Sequence, residues 1–240
     1  MNYRLSRIAA ICGGKFSGCD SEVRSVVTDS RSLSCELGCR PMFVAMRGAN
    51  HDSHDFIAGM QSRGVRAFLV ERGVEASSCT GECGFVQVDN AIEALQRLAA
   101  YHRAQFRGTV VGITGSNGKT VIKEWIAEEL HEGMKYYRSP KSYNSQLGVP
   151  LSVLMLEGDE ELAIFEAGIS KPGEMERLER IIRPDAVIFT SIGDAHEENF
   201  INLEQKCDEK MILARSASKI IYHSYYEPLG RMVAAHFADR

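Results

Sequence analysis

Short aliphatic runs alternate along the chain with segments in which apolar residues recur at helical spacing. This pattern predicts buried strands, each followed by a helix. Strands are predicted over residues 23–27, 42–46, 67–70, 85–88, 109–113, 134–138, 162–167, 185–191 and 219–223. Helices are predicted over residues 1–14, 52–64, 90–106, 120–131, 150–154, 172–182 and 202–217. Continuous apolar strands that alternate with helices are typical of a parallel sheet covered on both faces.

The pattern predicts two α/β domains. Residues 1–108 form a small N-terminal α/β domain, and residues 109–240 form a P-loop-type, doubly wound and mostly parallel sheet. The boundary lies where Arg107-Gly108-Thr109 breaks the helical periodicity of residues 90–106.

The periodicity also predicts which side of each helix is buried. The first helix is expected to place Leu5, Ile8 and Ile11 inward. Two longer helices have wider apolar stripes, formed by Ile92, Leu95, Leu98, Ala99 and Phe106 in one and by Ile122, Trp125, Ile126 and Leu130 in the other.

Composition narrows the class of protein. A hydrophobic content of 44% and a charged content of 25% are ordinary for a globular protein. The net charge of −4 and the absence of a long basic run argue against nucleic acid and anionic membranes as partners. No apolar run approaches the ~18 residues of a membrane span, and residues 8–12 are too short for a secretory leader. We therefore expect a cytoplasmic protein without membrane insertion.

The cysteines do not form an obvious framework. Seven is an odd count, which argues against a complete set of disulfides. Cys35 with Cys39, and Cys79 with Cys83, form two C-x₃-C pairs that could together bind Zn²⁺. Because structural zinc sites usually have tighter spacing, reduced thiols in a cytosolic protein are the favoured interpretation.

Residues 110–120, Val-Val-Gly-Ile-Thr-Gly-Ser-Asn-Gly-Lys-Thr, carry the clearest chemical signal. A predicted strand enters a Gly-rich turn, and a predicted helix follows. The backbone N–H groups, the helix N-terminus, Lys119 and the Thr120 hydroxyl together favour a phosphate chain and Mg²⁺. Ile113 occupies the position of the first glycine in the strict phosphate-loop motif, so Gly112 or Gly115 must relieve the turn.

Two further polar residues follow predicted strands. Glu166 ends the apolar strand at 162–167, and His196 follows the strand at 185–191. In open parallel sheets, ligands bind beyond the carboxyl ends of the strands. We therefore expect Thr120, Glu166 and His196 to meet at one edge, where they could hold Mg²⁺ beside ATP phosphates.

Taken in order, the motifs resemble the Mur ligases, a family of ATP-dependent, amide-forming enzymes of peptidoglycan precursor synthesis. Thr-Asp-Ser-Arg at 28–31, Phe-Val-Ala at 43–45 and His-Asp-Phe at 54–56 resemble the family's N-terminal uridine-nucleotide domain. The motifs that resemble the family's central domain lie at residues 112–120, 143–150, 166–168 together with 172–174, and 192–196. The resemblance runs from about residue 23 to about residue 223.

The resemblance implies specific roles. The implied ATP-binding residues are Thr114, Gly115, Ser116, Asn117, Gly118, Lys119 and Thr120. The implied catalytic residues are Lys119, Glu166, His196 and Lys210, and the implied Mg²⁺ ligands are Thr120, Glu166, His196 and Lys210, the last as a carbamate. Lys206 competes with Lys210 for the modified position, and an ordinary solvated lysine is the alternative for both. Ser30 and Arg31 are expected to contact the uridine diphosphate, and Asn144 the nucleotide sugar.

Within the family, the central motifs point to the members that join UDP-N-acetylmuramoyl-tripeptide to D-alanyl-D-alanine. The implied reaction forms an acyl phosphate from ATP and a carboxylate, which an amine then attacks. The family has three domains, and this chain stops within the central one. We therefore expect a truncated chain without the C-terminal ligase domain, monomeric and inactive as a ligase on its own.

Two other interpretations stay open at this point. A different P-loop kinase or NTPase would use Lys119 and Thr120 for phosphate transfer, with an unrelated N-terminal domain. A non-catalytic nucleotide-binding protein would retain the loop without needing Glu166.

Overall fold

The computed structural model describes residues 1–32, 39–48, 51–72, 82–130, 133–193, 199–225 and 227–238. The chain divides into two compact units, Met1–His102 and Arg103–Arg240. Among the described residues, no helix is long and apolar enough to cross a membrane.

The first unit contains the elements β1 (Tyr3–Arg4), α1 (Leu5–Cys12), β2 (Lys15–Gly18), β3 (Glu22–Val23), β4 (Ser25–Val27), β5 (Pro41–Val44), α2 (Ile57–Ser62), β6 (Ala67–Glu71), β7 (Gly84–Val88) and α3 (Ala91–Arg103). It is built on a five-stranded sheet with the order β2-β7-β6-β5-β4. Four strands are parallel, and the edge strand β2 runs antiparallel to β7. The core of this unit includes Phe43, Phe68 and Phe85, whose neighbouring rings lie 6.5 and 5.2 Å apart.

The second unit contains the elements β8 (Thr109–Thr114), α4 (Lys119–Glu129), β9 (Tyr136–Arg138), α5 (Gly148–Val153), β10 (Leu162–Ala167), α6 (Glu174–Ile182), β11 (Ala186–Phe189), α7 (Leu203–Met211), β12 (Lys219–Ile221) and α8 (Glu227–Ala238). It is built on a five-stranded, fully parallel sheet with the order β12-β11-β8-β10-β9. The mixed α/β class with a parallel second sheet is confirmed.

Strand order in the second unit explains where a ligand can bind. Strand β8 is central. The next two strands in the chain, β9 and β10, lie on one side of it, and the last two, β11 and β12, lie on the other side. The carboxyl end of β8 is therefore a topological switch point, and crevices in open α/β sheets form at such points.

Several sequence predictions need correction. The single strand predicted over residues 23–27 is two strands, because β3 pairs with β1 whereas β4 pairs with β5. In α1, Cys12 is buried and Ile11 is only half-buried. The predicted apolar stripe of α4 is wrong at Trp125, which is 64% exposed. Its other members, Ile122, Ile126 and Leu130, are half-buried, and the fully buried positions of the helix are Lys123 and Ala127.

Candidate active site at the end of the central strand

The loop between β8 and α4 turns on two glycines. Gly115 has a φ of 145° and Gly118 a φ of 82°, values that L side chains rarely adopt. A Cβ on Gly115 would lie 1.8 Å from Oγ1 of Thr190, so no side chain fits there. Ile113 is fully buried in β8, and Gly115, not Gly112, relieves the turn.

The residues that follow β11 hold this loop in place. Thr190 Oγ1 lies 2.6 Å from the carbonyl oxygen of Asn117 and 3.2 Å from that of Thr114. The Ser116 N–H donates to the Ser191 carbonyl at 2.7 Å, and Ser116 Oγ accepts from the Gly193 N–H at 3.0 Å. The loop is therefore tied to the neighbouring strand before any ligand arrives, which lowers the entropic cost of binding.

Three lysines surround this loop and the residues after β11 that hold it. Lys119 Nζ donates to the carbonyls of Gly115 at 2.8 Å and Ser116 at 3.2 Å. Lys210 Nζ also donates to the Gly115 carbonyl, at 3.2 Å, and Lys206 Nζ donates to the Gly193 carbonyl. Lys206 and Lys210 are separated by one turn of α7, and each is 2% exposed.

The lysines perturb one another. Burial, with a further contribution from the neighbouring ammonium groups of Lys119 and Lys206, lowers the pKa of Lys210 to about 7. Burial also lowers the pKa of Lys119, which the Glu166 carboxylate partly offsets. Clustered buried cations of this kind are stabilised by a polyanion, and this edge of the sheet therefore suits phosphate groups.

Glu166 lies at the carboxyl end of β10 with its side chain fully buried. Its Oε2 accepts a hydrogen bond from Thr120 Oγ1 at 3.0 Å and another from Asn144 Nδ2 at 3.2 Å. The Thr120 hydroxyl also lies 3.2 Å from Ser142 Oγ. The sequence prediction that Thr120 and Glu166 meet at one edge agrees with this geometry.

Lys123 is a polar residue of the site that the sequence analysis missed. Its side chain is fully buried, and its Nζ lies 2.9 Å from Glu166 Oε1. The ammonium also donates to the Ser139 carbonyl at 2.7 Å and to the Lys141 carbonyl. Lys123 is three residues after Thr120 on α4, so both side chains project from the same face of the helix. That spacing is the only sequence signal that could have indicated its position.

The donor set fits a divalent cation. A threonine hydroxyl and a carboxylate oxygen in contact are hard oxygen ligands of the kind that Mg²⁺ takes beside phosphates. Within the described residues, no three His, Cys, Asp or Glu side chains are grouped so as to hold a metal by themselves. His196 lies outside the described residues, so its predicted role stays a prediction.

The candidate uridine-nucleotide residues of the first unit have a different setting. Arg31 donates to both oxygens of Asp29, from Nε at 3.0 Å and from Nη2 at 2.8 Å. The Arg31 side chain is 88% exposed. Hydrogen bonds from Arg31 lower the pKa of Asp29 to about 2. The Ser30 carbonyl accepts from Arg63.

The loop at residues 52–54, also in the first unit, is held by more buried contacts than the exposed Arg31–Asp29 pair. The half-buried His54 has its Nδ1 2.5 Å from Asp52 Oδ1, and its Nε2 accepts from the Glu71 N–H at 3.0 Å. Contacts from both ring nitrogens therefore fix the orientation of the imidazole. Cys39 and Cys83 are free thiols, while Cys35 and Cys79 of the zinc alternative lie outside the described residues.

A family model described as the Mur ligase middle domain matches residues 113–227. The chain is 31% identical over 189 residues to the UDP-N-acetylmuramoyl-tripeptide–D-alanyl-D-alanine ligase of Bacillus subtilis, covering 79% of this chain and 40% of the relative. It is 34% identical over 206 residues to the enzyme of the same name from Borreliella burgdorferi, covering 82% of this chain and 44% of the relative.

Solved structures agree with these matches. A MurF structure from Acinetobacter baumannii superposes with a TM-score of 0.83 at 26% identity, covering 98% of this chain and 52% of that one. The MurF ligase of Thermotoga maritima in complex with ADP superposes with a TM-score of 0.76 at 29% identity, covering 89% and 49%. The chain spans less than half the length of the two curated relatives above. By sequence and by fold, the chain belongs to the Mur ligase family.

Proposed function

We propose that this chain carries the nucleotide- and UDP-sugar-binding part of an ATP-dependent ligase that joins D-alanyl-D-alanine to UDP-N-acetylmuramoyl-tripeptide. The relatives at 31% and 34% identity bear that activity as their name. The observation that carries the proposal is the convergence of the β8–α4 loop, Lys119, Thr120 and Glu166 at the switch point of the parallel sheet.

The β8–α4 loop and its lysines would hold the ATP phosphates. In this proposal, Thr114 to Thr120 surround the phosphate chain, and the Lys119 ammonium leaves its loop carbonyls for phosphate oxygens. Thr120 and Glu166 would hold Mg²⁺, and His196 would hold a second ion. The metal supplies neutralisation of the charge on the transferred phosphoryl group. Lys210 would join the metal ligands as a carbamate, with Lys206 as the alternative.

The reaction then follows from two displacements. A carboxylate oxygen of the tripeptide attacks the γ-phosphorus of ATP, the bond to the β–γ bridging oxygen breaks, and ADP leaves. The amine of D-alanyl-D-alanine attacks the acyl carbon, the bond to the phosphate oxygen breaks, and phosphate and a proton leave. The chain's residues contribute positioning and charge neutralisation, which are the main demands of phosphoryl transfer.

In this proposal the chain has two domains. Residues 1–108 form the domain that would bind the UDP end of the substrate, and residues 109–240 form the central, ATP-binding domain. Ser30 and Arg31 would contact the diphosphate, which requires Arg31 to exchange Asp29 for phosphate oxygens. Asn144 would contact the sugar end. On the same basis we place the reaction in the cytoplasm, where UDP-linked precursors are made.

Calorimetric titration of the 240-residue chain tests the proposal. We expect binding of a non-hydrolysable ATP analogue in the presence of Mg²⁺, weakened at least about tenfold by Lys119→Met through loss of a charge-assisted hydrogen bond. We also expect binding of UDP-N-acetylmuramoyl-tripeptide, weakened by Arg31→Ala. Lys135→Met, which removes an exposed lysine paired with Asp159 and Glu157, is the control and should change neither affinity.

The two titrations separate the alternatives. Binding of the ATP analogue without any binding of the UDP-sugar peptide would favour another P-loop kinase or NTPase. Failure of both ligands to bind would contradict the proposal. A non-catalytic nucleotide-binding protein predicts that Glu166→Gln leaves Mg²⁺-dependent nucleotide affinity unchanged, whereas the ligase proposal predicts that it falls.

A further inference from the structure

The charge at the proposed metal site is already balanced by protein groups. Both carboxylate oxygens of Glu166 contact protein groups: Oε2 accepts hydrogen bonds from Thr120 and Asn144, and Oε1 lies 2.9 Å from the Lys123 ammonium in an ion pair without hydrogen-bond geometry. Both ends of the Lys123–Glu166 ion pair are fully buried, so water screens it little.

The groups next to this pair do not restore a negative charge. Lys123 Nζ also lies 3.3 Å from Glu124 Oε1, but Glu124 in turn pairs with Arg138. The four groups Lys123, Glu166, Glu124 and Arg138 therefore sum to zero. The loop lysines Lys119 and Lys206 add positive charge at the same edge of the sheet. As far as the described residues go, this edge repels a free divalent cation.

Lys123 also fixes the shape of the site. Its two carbonyl partners, Ser139 and Lys141, lie in the segment after β9, so backbone groups hold the ammonium in place beside Glu166. With Oε1 committed to Lys123, only Oε2 faces the Thr120 hydroxyl. Glu166 can then offer a metal one oxygen at a fixed place and cannot turn to chelate it with two.

We infer that Lys123 is a positioning residue that makes the metal site depend on the nucleotide. It neutralises Glu166 and orients its free oxygen, so that a divalent cation binds only when phosphate oxygens bring the missing negative charge and the remaining ligands. This inference rests on the proposed function, because it assigns Thr120 and Glu166 to a metal–nucleotide complex.

Binding of Mn²⁺ to the 240-residue chain, followed by electron paramagnetic resonance without nucleotide, tests the inference. The wild-type chain is expected to bind Mn²⁺ weakly, and Glu166→Gln is expected to leave that weak binding unchanged. Lys123→Met exposes the carboxylate to the cation and is expected to tighten nucleotide-free Mn²⁺ binding about tenfold or more. Lys123→Arg keeps the charge and should behave as the wild type, as should the exposed-lysine control Lys135→Met.

Two results would overturn the inference. One is a folded Lys123→Met chain, verified by circular dichroism, that binds Mn²⁺ alone no more tightly than the wild type. The other result does not require that variant to fold. It is that the wild-type chain binds Mn²⁺ tightly without nucleotide and that Glu166→Gln abolishes this binding.

A separate titration with ADP and Mg²⁺ keeps the two proposals apart. If ADP fails to bind with or without Mg²⁺, the proposed function fails. If ADP binds and the wild-type chain also binds Mn²⁺ alone through Glu166, only the role of Lys123 fails.

Discussion

Each unit of the chain has an ion pair between a carboxylate and a cationic side chain at its candidate site, and the two pairs differ in burial. Glu166 and Lys123 of the second unit are both fully buried, and the lysine is also held by two backbone carbonyls. Asp29 and Arg31 of the first unit are two residues apart, and their side chains are 44% and 88% exposed. A buried pair fixes geometry at a high cost if it is broken, whereas an exposed pair can exchange partners at little cost.

This difference matches what each site is proposed to do. Phosphoryl transfer requires donors that are already in place when the substrate arrives. Capture of a flexible UDP-linked substrate requires an arginine that can leave its internal partner for a phosphate.

Breaking the buried pair should have the largest effect. Lys123→Met leaves the Glu166 carboxylate buried without its cation, and we expect the free energy of unfolding to fall by about 3–5 kcal/mol. Urea denaturation measures this. The double variant Lys123→Met/Glu166→Gln removes both charges and should recover much of the loss. If the double variant were less stable than Lys123→Met, the loss of stability could not be due to an unpaired Glu166 carboxylate, and this explanation would be wrong.

Substitution in the loop beside the pair should come next. Gly115→Ala forces a Cβ against Thr190 at a φ of 145°, and we expect a loss of about 2–4 kcal/mol from strain and overpacking. Gly158→Ala is the matched control, because Gly158 has a φ of 98° with no atom within 4 Å of an added Cβ. Equal losses in the two variants would mean that contact with Thr190 does not constrain the loop.

The lysine cluster predicts a dependence of stability on pH. The pKa of Lys210 is about 7 in the folded chain, below its ordinary value of 10.5. Between these values the unfolded chain binds more protons, so stability rises with pH from about 7 upward. Thermal unfolding at pH 7.0 and 8.5 should show this rise in the wild type and a smaller one in Lys210→Met. An identical rise in both proteins would contradict the assignment to Lys210.

Breaking the exposed pair should have the smallest effect on stability. Arg31→Ala removes the partner of Asp29 in a solvent-screened position, and we expect no measurable change in the thermal midpoint at neutral pH. The same variant should weaken binding of the UDP-linked substrate. A clear loss of stability with unchanged substrate affinity would reverse the roles given to the two pairs.

The sequence was sufficient where local signals and the fold agree. The apolar run at residues 162–167 matches β10, and the helix predicted from residue 202 begins where Asn202 caps α7 by accepting from the Gln205 N–H. The β8–α4 loop could be predicted as a candidate phosphate-binding loop because glycine spacing, a β-branched strand and a following helix are all local features. Their meeting with Glu166 followed from the rule that ligands bind at the carboxyl ends of parallel strands.

The sequence was insufficient where burial depends on distant partners. Hydrophobic periodicity placed Trp125 inside and ignored Lys123, yet Trp125 is 64% exposed and Lys123 is fully buried. A lysine is buried only when a counter-charge and acceptors meet it, and those come from Glu166 and from the segment after β9. The break at Arg24 was missed for a similar reason, since strands on either side of it pair with different partners.

A crystal structure of the chain with Mg²⁺ and a non-hydrolysable ATP analogue tests the central claim most directly. The account predicts phosphates against residues 115–120 and a metal within about 2.1 Å of both Thr120 Oγ1 and Glu166 Oε2, the usual Mg²⁺–oxygen distance. It also predicts that Lys123 stays on Glu166 Oε1. Phosphates bound away from this loop, or a metal chelated by both oxygens of Glu166, would contradict it.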